Sequence, residues 1–431
     1  MPQKYTSSKI DSNSLGGGDA IIDVLKKRDI ANYINSYTGE RSARAEYSYG
    51  EGIITWLIAQ CSAAKRFENV YDSREYLGRH PRFNKGMSPD TLLYMFKELA
   101  VPNQYYPKET ISEELQLKIA AGKAFDSHEV NSIGWFNELL IDMALKLGRL
   151  RKNELYILDY DVTEIQHKIA GGRKWYKGNG KKAYCPAFAT INKIPVYIEN
   201  RNGDSNPAFN LTITIDKVLD LLESKGIVVK LVRLDAAGFN KEFTEYANRR
   251  GIKYITRASS PSVKKERKYI RNWEETKIKR SSPHVGDTVY HFGTDEARMV
   301  VKKVTNNRDE DEKYWGLITN DFDSSSADII RLYDQRGDSE NLFRDLKGFG
   351  LKIMPMRNFS HNTVYLYIVA LNYIIYRLIT KLFSSKMKMV QDNMLLKTFT
   401  DKFMTVPTIW KGDTLVFLKR ASAYVALAGF T

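Results

Sequence analysis

The residues best suited to chemistry lie between positions 333 and 347, in the run YDQRGDSENLFRDLK. On a helix that turns about 100° per residue, Arg336, Glu340 and Lys347 all fall within about 60° of Tyr333. One narrow face would then carry a phenol, a guanidinium, a carboxylate and an ammonium group. On the same helix the other acids of the run, Asp334, Asp338 and Asp345, point well away from Glu340. A single carboxylate set between two cations indicates a metal site that handles phosphate.

Two further acids stand at the ends of apolar strands. Asp161 ends the predicted strand that begins at Tyr156, and Asp235 ends a more apolar strand that begins at Ile227. Open α/β sheets bind ligands at the carboxyl ends of their strands, so these two acids and Glu340 are expected to meet. Clustered carboxylates repel one another unless cations lie between them, and oxygen ligands favour Mg²⁺ or Mn²⁺. Two such ions about 4 Å apart could carry out phosphodiester chemistry.

Each acid also has a plainer interpretation. An aspartate at a strand end is usually a turn former or a helix cap, and a glutamate on a helix is usually solvated. Asp159 competes with Asp161 for the first position, because it lies two residues away on the same strand face. Gly337 inside the helix costs about 1 kcal/mol relative to alanine. It reflects either a close approach of backbone or DNA, or a local defect.

The composition and charge of the chain indicate which classes of partner it is expected to bind. Its 431 residues are enough for two or three domains, and the formal charge of +15 indicates a polyanionic partner. Nucleic acid is the first choice and an anionic membrane surface the second. Cys61 and Cys185 lie far apart, which argues against a disulfide framework and fits a reducing cytoplasm. No signal peptide is visible, and the apolar run 364–375 is short for a membrane span, so a buried helix is predicted.

The elements that must position the acids follow from residue patterns. Before about residue 150 the pattern is helical, with a start signal at Ser88-Pro89 and a stop at Gly148. The predicted helices of this part are 53–64, 91–100 and 135–147. After it come three strands expected to form an antiparallel meander, at 156–161, 183–191 and 195–200. Alternating elements follow at 214–225 (helix), 227–235 (strand), 240–250 (helix) and 253–257 (strand). This order predicts a mixed α/β sheet.

The run 333–347 resembles a known signature. The spacing Tyr333-x2-Arg336-x3-Glu340-x6-Lys347 matches the YREK signature of bacterial insertion-sequence transposases of the DDE class, the IS-four superfamily. LDYDVTEI (158–165) and RLDAAGF (233–239) resemble the strands that carry that family's two aspartates, and GLITND (316–321) resembles its approach to the catalytic helix. The resemblance covers about residues 150–385. Val162 stands where many relatives have a polar residue, which keeps Asp159 open as an alternative.

The resemblance implies a ribonuclease-H-like core interrupted by a β-rich insertion, for which the 104 residues between Asp235 and Glu340 leave room. It implies that Asp161, Asp235 and Glu340 bind two Mg²⁺ or Mn²⁺ ions. It also implies that the tyrosine, arginine and lysine of the signature contact phosphates near the cleaved end. Trp315 resembles the family tryptophan that stacks on a flipped base; otherwise it is an ordinary indole of the insertion.

Basic segments supply further DNA-binding candidates. Residues 165–182 carry six lysines and arginines and no acid. As a loop between strands, they could follow a DNA backbone while the aromatic side chains stack on bases. The candidates within this loop are Lys168, Arg173, Lys174, Trp175 and Lys177. The alternative is a solvated hairpin. Residues 264–280 hold eight basic residues against three acids and are a second candidate.

These observations give one domain layout and one function. The expected parts are a disordered terminus (1–19), a helical DNA-binding domain (20–150), a catalytic core (151–257 and 321–385) split by a β-rich insertion (258–320), and a helical C-terminal region (386–431). The resemblance implies transposition in the bacterial cytoplasm, by a homodimer that joins terminal inverted repeats to target DNA by cut-and-paste movement through a hairpin intermediate. The alternatives are a metal-dependent nuclease or resolvase, and a DNA-binding protein without catalysis.

Overall fold

The computed structural model describes most of the chain, and at several positions, among them 173–174 and 338–340, it describes the backbone alone. The described residues are 15–70, 86–108, 111–121, 125–166, 173–174, 182–278, 282–305, 312–352, 354–411 and 414–417. They divide into two compact units. The first unit consists of Met1–Val101, Asp345–Met356 and Ser360–Thr431. The second consists of Pro102–Arg344 and Arg357–Phe359.

The second unit is built on one large sheet. Its strands in chain order are β1 (Gln104–Pro107), β2 (Ser127–Asn131), β3 (Leu155–Val162), β7 (Ala187–Ile191), β8 (Ile194–Arg201), β9 (Val228–Arg233), β10 (Lys253–Arg257), β11 (Glu274–Glu275), β12 (His284–Phe292), β13 (Asp295–Thr305) and β14 (Glu312–Thr319). A small separate sheet contains β4 (Ile165–Gln166), β5 (Arg173–Lys174) and β6 (Lys182–Tyr184). The first unit holds β15 (Thr408–Lys411) and β16 (Thr414–Phe417).

The strand order of the large sheet is β1-β2-β8-β7-β3-β9-β10-β14-β13-β12-β11. Strands β3, β7 and β8 form the predicted antiparallel meander. Strands β9 and β10 then add in parallel to β3. Helices connect these parallel strands, as parallel neighbours require. The predicted mixed α/β fold, with a meander followed by parallel strands, is therefore confirmed.

The helices are distributed over both units. In chain order they are α1 (Gly17–Lys27), α2 (Ile30–Thr38), α3 (Tyr49–Cys61), α4 (Pro89–Glu98), α5 (Glu113–Ala120), α6 (Gly134–Lys146), α7 (Leu211–Ser224), α8 (Lys241–Arg250), α9 (Ser260–Glu266), α10 (Ser326–Asp334), α11 (Gly337–Gly348), α12 (Phe359–Ser384) and α13 (Leu396–Phe399). The predicted signals hold: Ser88 accepts a hydrogen bond from the Thr91 amide, and Gly148 takes a positive φ after α6.

The domain boundaries differ from those expected. The break falls after Val101 instead of near residue 150, because β1 and β2 pair with β8 and so belong to the sheet. These strands are too short to stand out in a mostly helical pattern. Segment 258–320 is no separate subdomain either, because Ile255 of β10 pairs with Thr319 of β14 and the sheet continues through it. In the region 386–431, strands β15 and β16 replace part of the expected helix, as their β-branched and aromatic residues favour.

The glycines near the start of the chain are packed closely, contrary to the expected disorder of residues 1–19. Residues 1–14 lie outside the described residues, but the Gly16 amide donates to the Val406 carbonyl at 2.8 Å. A Cβ on Gly17, the first residue of α1, would lie 2.3 Å from the Phe403 carbonyl oxygen. These residues are glycine because backbone approaches backbone there.

The helix expected over 333–347 is broken in two. Helix α10 ends at Asp334, and the Arg336 amide bonds to the Tyr333 carbonyl at 2.8 Å before α11 begins at Gly337. The assumption of about 100° per residue therefore fails across Gln335 and Arg336. Glycine favours such a break, because it disfavours a helix interior. Gly337 opens α11, and a Cβ there would meet nothing within 4 Å.

Helix α12 forms the core of the first unit. By length and composition it could cross a membrane, but 83% of an apolar 18-residue stretch of this helix is buried within the protein. Its polar interruption, Asn372, is fully buried and donates to Gln60 at 2.7 Å. Gln60 in turn donates to the Phe349 carbonyl. A polar group paired in this way suits the core of a folded unit, as predicted for a buried helix.

A buried carboxylate fixes the turn that leads into α10. Asp321 is 5% exposed and accepts hydrogen bonds from Lys253 at 3.0 Å and from the Ser324 hydroxyl at 2.7 Å. Burial by itself raises the pKa of Asp321, but these donors and two backbone amides outweigh it and lower the pKa to about 2. The charged form therefore stabilises the fold above the unfolded pKa of about 4.

Replacing Asp321 with asparagine should lower the free energy of unfolding by about 1 to 2 kcal/mol at pH 7. The deficit should shrink as the pH falls from about 4 towards 2, because the wild-type carboxyl then takes up a proton as well. Urea denaturation across this pH range measures it. Asp323→Asn is the matched control, since that side chain is 90% exposed. An unchanged deficit at every pH would contradict the assignment.

Candidate active site

The two aspartates end neighbouring parallel strands. In the register of β3 and β9, Asp159 lies opposite Arg233. Asp161 and Asp235 each follow two residues later, so the same register brings them side by side at the carboxyl edge. Burial raises the pKa of Asp161, and the charge of Asp235 adds to that rise. The expected meeting of the first two acids is thus what the fold produces.

Asp161 is a largely buried carboxyl with one cationic neighbour. Its Oδ1 accepts a hydrogen bond from the Val162 amide at 3.0 Å and lies 3.2 Å from Nη2 of Arg336. Burial raises the pKa of Asp161 to about 6, and Asp235 adds to the rise, while Arg336 opposes it. The described residues place no hydrogen bond on Oδ2, which leaves that oxygen free to bind a cation.

Asp235 likewise has one carboxylate oxygen that accepts no hydrogen bond from the described residues. It caps the short turn Ala236–Gly238, where its Oδ1 accepts the Ala237 amide at 2.8 Å. The Thr256 hydroxyl donates to its backbone carbonyl. The turn is tight: a Cβ on Gly238 would lie 2.9 Å from the Thr256 hydroxyl. The capping interpretation of Asp235 is therefore correct for Oδ1, and it fixes the carboxylate without using Oδ2.

Tyr333 and Arg336 adjoin both acids. Arg336 Nη2 also donates to the Tyr160 carbonyl at 3.3 Å, and its Nε is buried without a hydrogen-bond partner among the described residues. Burial raises the pKa of Tyr333, and the charges acting on it include Arg336, Asp235, Arg257 and Asp161. A buried N–H without a partner costs about 1–3 kcal/mol, which an anionic oxygen at this place would relieve.

Helix α11 approaches the sheet beside Asp161. Phe343 packs edge-on against Phe188 at 5.3 Å between ring centroids, and Phe188 is the register partner of Asp161 on β7. Directly paired residues of an antiparallel ladder project from the same face, so α11 covers the face that carries Asp161. Glu340 lies one turn before Phe343, and only its backbone is described. Lys347 is exposed in the last turn of α11.

The structure separates Asp159 from Asp161. Both oxygens of Asp159 are bound by Arg233, at 2.6 and 2.7 Å, and both residues are 5% exposed. Asp159 is thus occupied by a buried ion pair, while one oxygen of Asp161 has no partner within the described part of the chain. This contrast favours Asp161 as the acid that could bind a metal ion. Arg233 was not singled out from the sequence, although an arginine in a buried strand requires a partner.

Trp315 lies on β14 and is 40% exposed. Its register partner on β13 is Lys302, whose ammonium group lies 3.7 Å from a carboxylate oxygen of Asp334, the last residue of α10. Trp315 and Leu317 lie two residues apart on β14, so their side chains project from the same face of the sheet. On that face Leu317 packs with Ile330 of α10. Trp315 is therefore an exposed indole on the sheet face that α10 covers.

The basic loop is described only in part. Lys168, Trp175 and Lys177 lie outside the described residues. Arg173 and Lys174 form β5, which pairs with β6, but their side chains are not described. Their expected contact with DNA stays a prediction.

The donor set at this edge fits a hard divalent cation. Asp161 and Asp235 each offer a carboxylate oxygen, and carboxylates side by side at a sheet edge favour a cation between them. Among the residues whose side chains are described, no three histidines, cysteines, aspartates or glutamates are grouped for metal binding. The side chain of Glu340, the third expected ligand, is not among those described.

Comparison with known proteins defines the class. The chain belongs to the family described as Transposase DDE domain group 1, whose sequence profile matches residues 122–405 and thus includes both aspartate strands and the YREK run. Among solved structures, the chain is similar to one described as the cryo-EM structure of piggyBac transposase synaptic complex with hairpin DNA. The TM-score is 0.46 and the identity 8%, over 89% of this chain and 79% of that one. No curated protein matches the chain.

Proposed function

We propose that this member of the DDE transposase family is the active transposase of a bacterial insertion sequence. The observation that carries the proposal is the pair formed by Asp161 and Asp235 at adjacent strand ends, with an arginine beside it. In this proposal the protein binds the terminal inverted repeats, cleaves the element ends and joins them to target DNA.

Asp161, Asp235 and Glu340 would hold two Mg²⁺ or Mn²⁺ ions. Such ions supply an activated water nucleophile and neutralise the leaving oxygen of a phosphodiester. Other groups of the chain position these metal ligands. The Ala237 amide and the Val162 amide fix the two aspartates, so that each presents one oxygen in a defined direction. This preorganisation removes the need to reorder the ligands when DNA arrives.

Arg336 is proposed to contact a phosphate near the cleaved bond. Its buried Nε lacks a partner among the described residues, and a phosphate oxygen would complete it with a charge-assisted hydrogen bond. Tyr333, beside it, and Lys347, in the last turn of α11, would contact neighbouring phosphates. Trp315 is exposed and would stack on a base flipped from the transposon end.

The finer course of the reaction follows from the same proposal. Cut-and-paste movement through a hairpinned end would need both ends of the element at once, so a homodimer on DNA is proposed. The basic loop would follow the DNA backbone through Lys168, Arg173, Lys174 and Lys177, while Trp175 stacks on a base. The reducing bacterial cytoplasm, at the nucleoid, would be the place of action.

A donor plasmid that carries the coding sequence with its natural flanking DNA tests this proposal. Purified wild-type protein with Mg²⁺ should release the element at both ends, and Glu340→Gln should not. The matched control is Glu242→Gln, which changes an exposed glutamate in the first turn of α8. Equal cleavage by Glu340→Gln and wild type would overturn the catalytic assignment.

A further inference from the structure

An ion pair connects the three elements of the site beneath the acid pair. Arg233 lies on β9, two residues before Asp235, and Asp159 lies on β3, two residues before Asp161. The guanidinium binds both oxygens of Asp159, with Nε at 2.6 Å and Nη2 at 2.7 Å. Two parallel hydrogen bonds of this kind fix the relative position of both side chains, and therefore of their strands.

The same guanidinium also reaches the helix. Its third nitrogen, Nη1, donates to the backbone carbonyl of Leu332, in the last turn of α10. Carbonyls in a last helical turn lack a partner within the helix, and a cation there also suits the helix dipole. Leu332 immediately precedes Tyr333, the first residue of the YREK run.

We infer that Arg233 is a positioning residue, which sets the distance between Asp161 and Asp235 and holds α10 against them. Each of its three nitrogens donates to a different oxygen. Two of these oxygens belong to the carboxylate of Asp159 on β3, and the third is the Leu332 carbonyl of α10. The inference rests on the proposed function, since it assumes that the two aspartates bind a divalent ion. It adds that the affinity for this ion depends on a residue that does not touch it.

Lysine cannot replace this arrangement, because an ammonium group is a point charge and lacks the planar fork that spans a carboxylate and a carbonyl together. Arg233→Lys keeps the positive charge within the buried pair, so a purely structural role would be largely preserved. A positioning role would not. The two roles are thus separated by the metal affinity of folded protein.

The experiment measures the binding of Mn²⁺ to the full chain without DNA, by the loss of the electron paramagnetic resonance signal of the free ion. Arg233→Lys should bind Mn²⁺ about 10- to 100-fold more weakly than wild type, the range found for residues that orient metal ligands. Arg250→Lys is the matched control. Arg250 also bridges several acids in the same unit, namely Asp216, Asp220 and Glu223. Urea denaturation of both variants reports their stability.

Equal Mn²⁺ affinity in Arg233→Lys, Arg250→Lys and wild type would overturn the positioning role, even if stability falls. If Arg233→Lys does not fold, Asp159→Glu decides, because it keeps the charge pair but moves the carboxylate by one methylene. A drop in affinity supports the inference, and wild-type affinity contradicts it. A wild-type protein that binds no Mn²⁺ would instead overturn the proposed function, and the inference with it.

Discussion

Asp235→Asn should abolish DNA cleavage in Mg²⁺, with a loss of about 10³-fold or more in the single-turnover rate. A divalent ion supplies several kcal/mol of transition-state stabilisation in phosphodiester chemistry, and each 1.4 kcal/mol corresponds to about a factor of ten. The substitution is conservative, because the asparagine Oδ1 can still accept the Ala237 amide that fixes this side chain at 2.8 Å. It removes the charge and leaves the turn.

The control is Asp323→Asn, which removes a carboxylate that is 90% exposed. This variant should cleave at the wild-type rate, and both variants should unfold at a similar urea concentration. Cleavage by Asp235→Asn within a few-fold of wild type would contradict the role of Asp235. Loss of folding in Asp235→Asn, detected by circular dichroism, would be separated from loss of metal binding by the same urea measurement.

Arg336→Gln should reduce cleavage by about 10²-fold and weaken DNA binding, because a charge-assisted contact to phosphate is worth about 1.5–3 kcal/mol. The guanidinium is positioned for this contact: Nη2 is held by Asp161 at 3.2 Å while Nε lacks a partner among the described residues. Binding of Arg336→Gln and wild type to the same DNA end, measured at several salt concentrations, reports the number of phosphates contacted. The slope against salt should fall by about one for the variant.

Arg331→Gln provides the comparison. Arg331 lies on α10, five residues before Arg336, but is half-exposed and pairs with Asp328 at 2.9 Å. Its loss should change neither cleavage nor the salt slope by much, because surface ion pairs contribute about 0–1 kcal/mol. If Arg331→Gln and Arg336→Gln behave alike, Arg336 has no special contact to DNA.

The meeting of Asp161 and Asp235 could be predicted from sequence, because apolar strands that run parallel bring their carboxyl ends to one edge. The choice between Asp159 and Asp161 could not. It depends on Arg233, whose fork reaches across the ladder to Asp159. The sequence does contain a sign of this ion pair. Asp159 lies two residues before Asp161, and Arg233 lies two residues before Asp235. Opposite charges at paired positions of two buried strands require each other.

The break between α10 and α11 was missed for a different reason. Gly337 is costly inside a helix, yet the period of 3.6 shared by the polar residues predicts one continuous helix. In the structure the Arg336 amide closes a tight turn on Tyr333, and its side chain reaches the end of β3. The ion pair between Arg336 and Asp161 joins residues 175 positions apart, so local periodicity cannot predict it. The structure forms this ion pair and breaks the helix.

The most direct test of the account uses pre-cleaved DNA. Duplexes that end at the element boundary, with free 3′-hydroxyl groups, are incubated with a supercoiled target plasmid, wild-type protein and Mg²⁺. We expect joined products that contain both the duplex and the plasmid, and none with Glu340→Gln. Hydrolysis of the DNA without any joining would contradict transposition and identify a nuclease that uses the same acids.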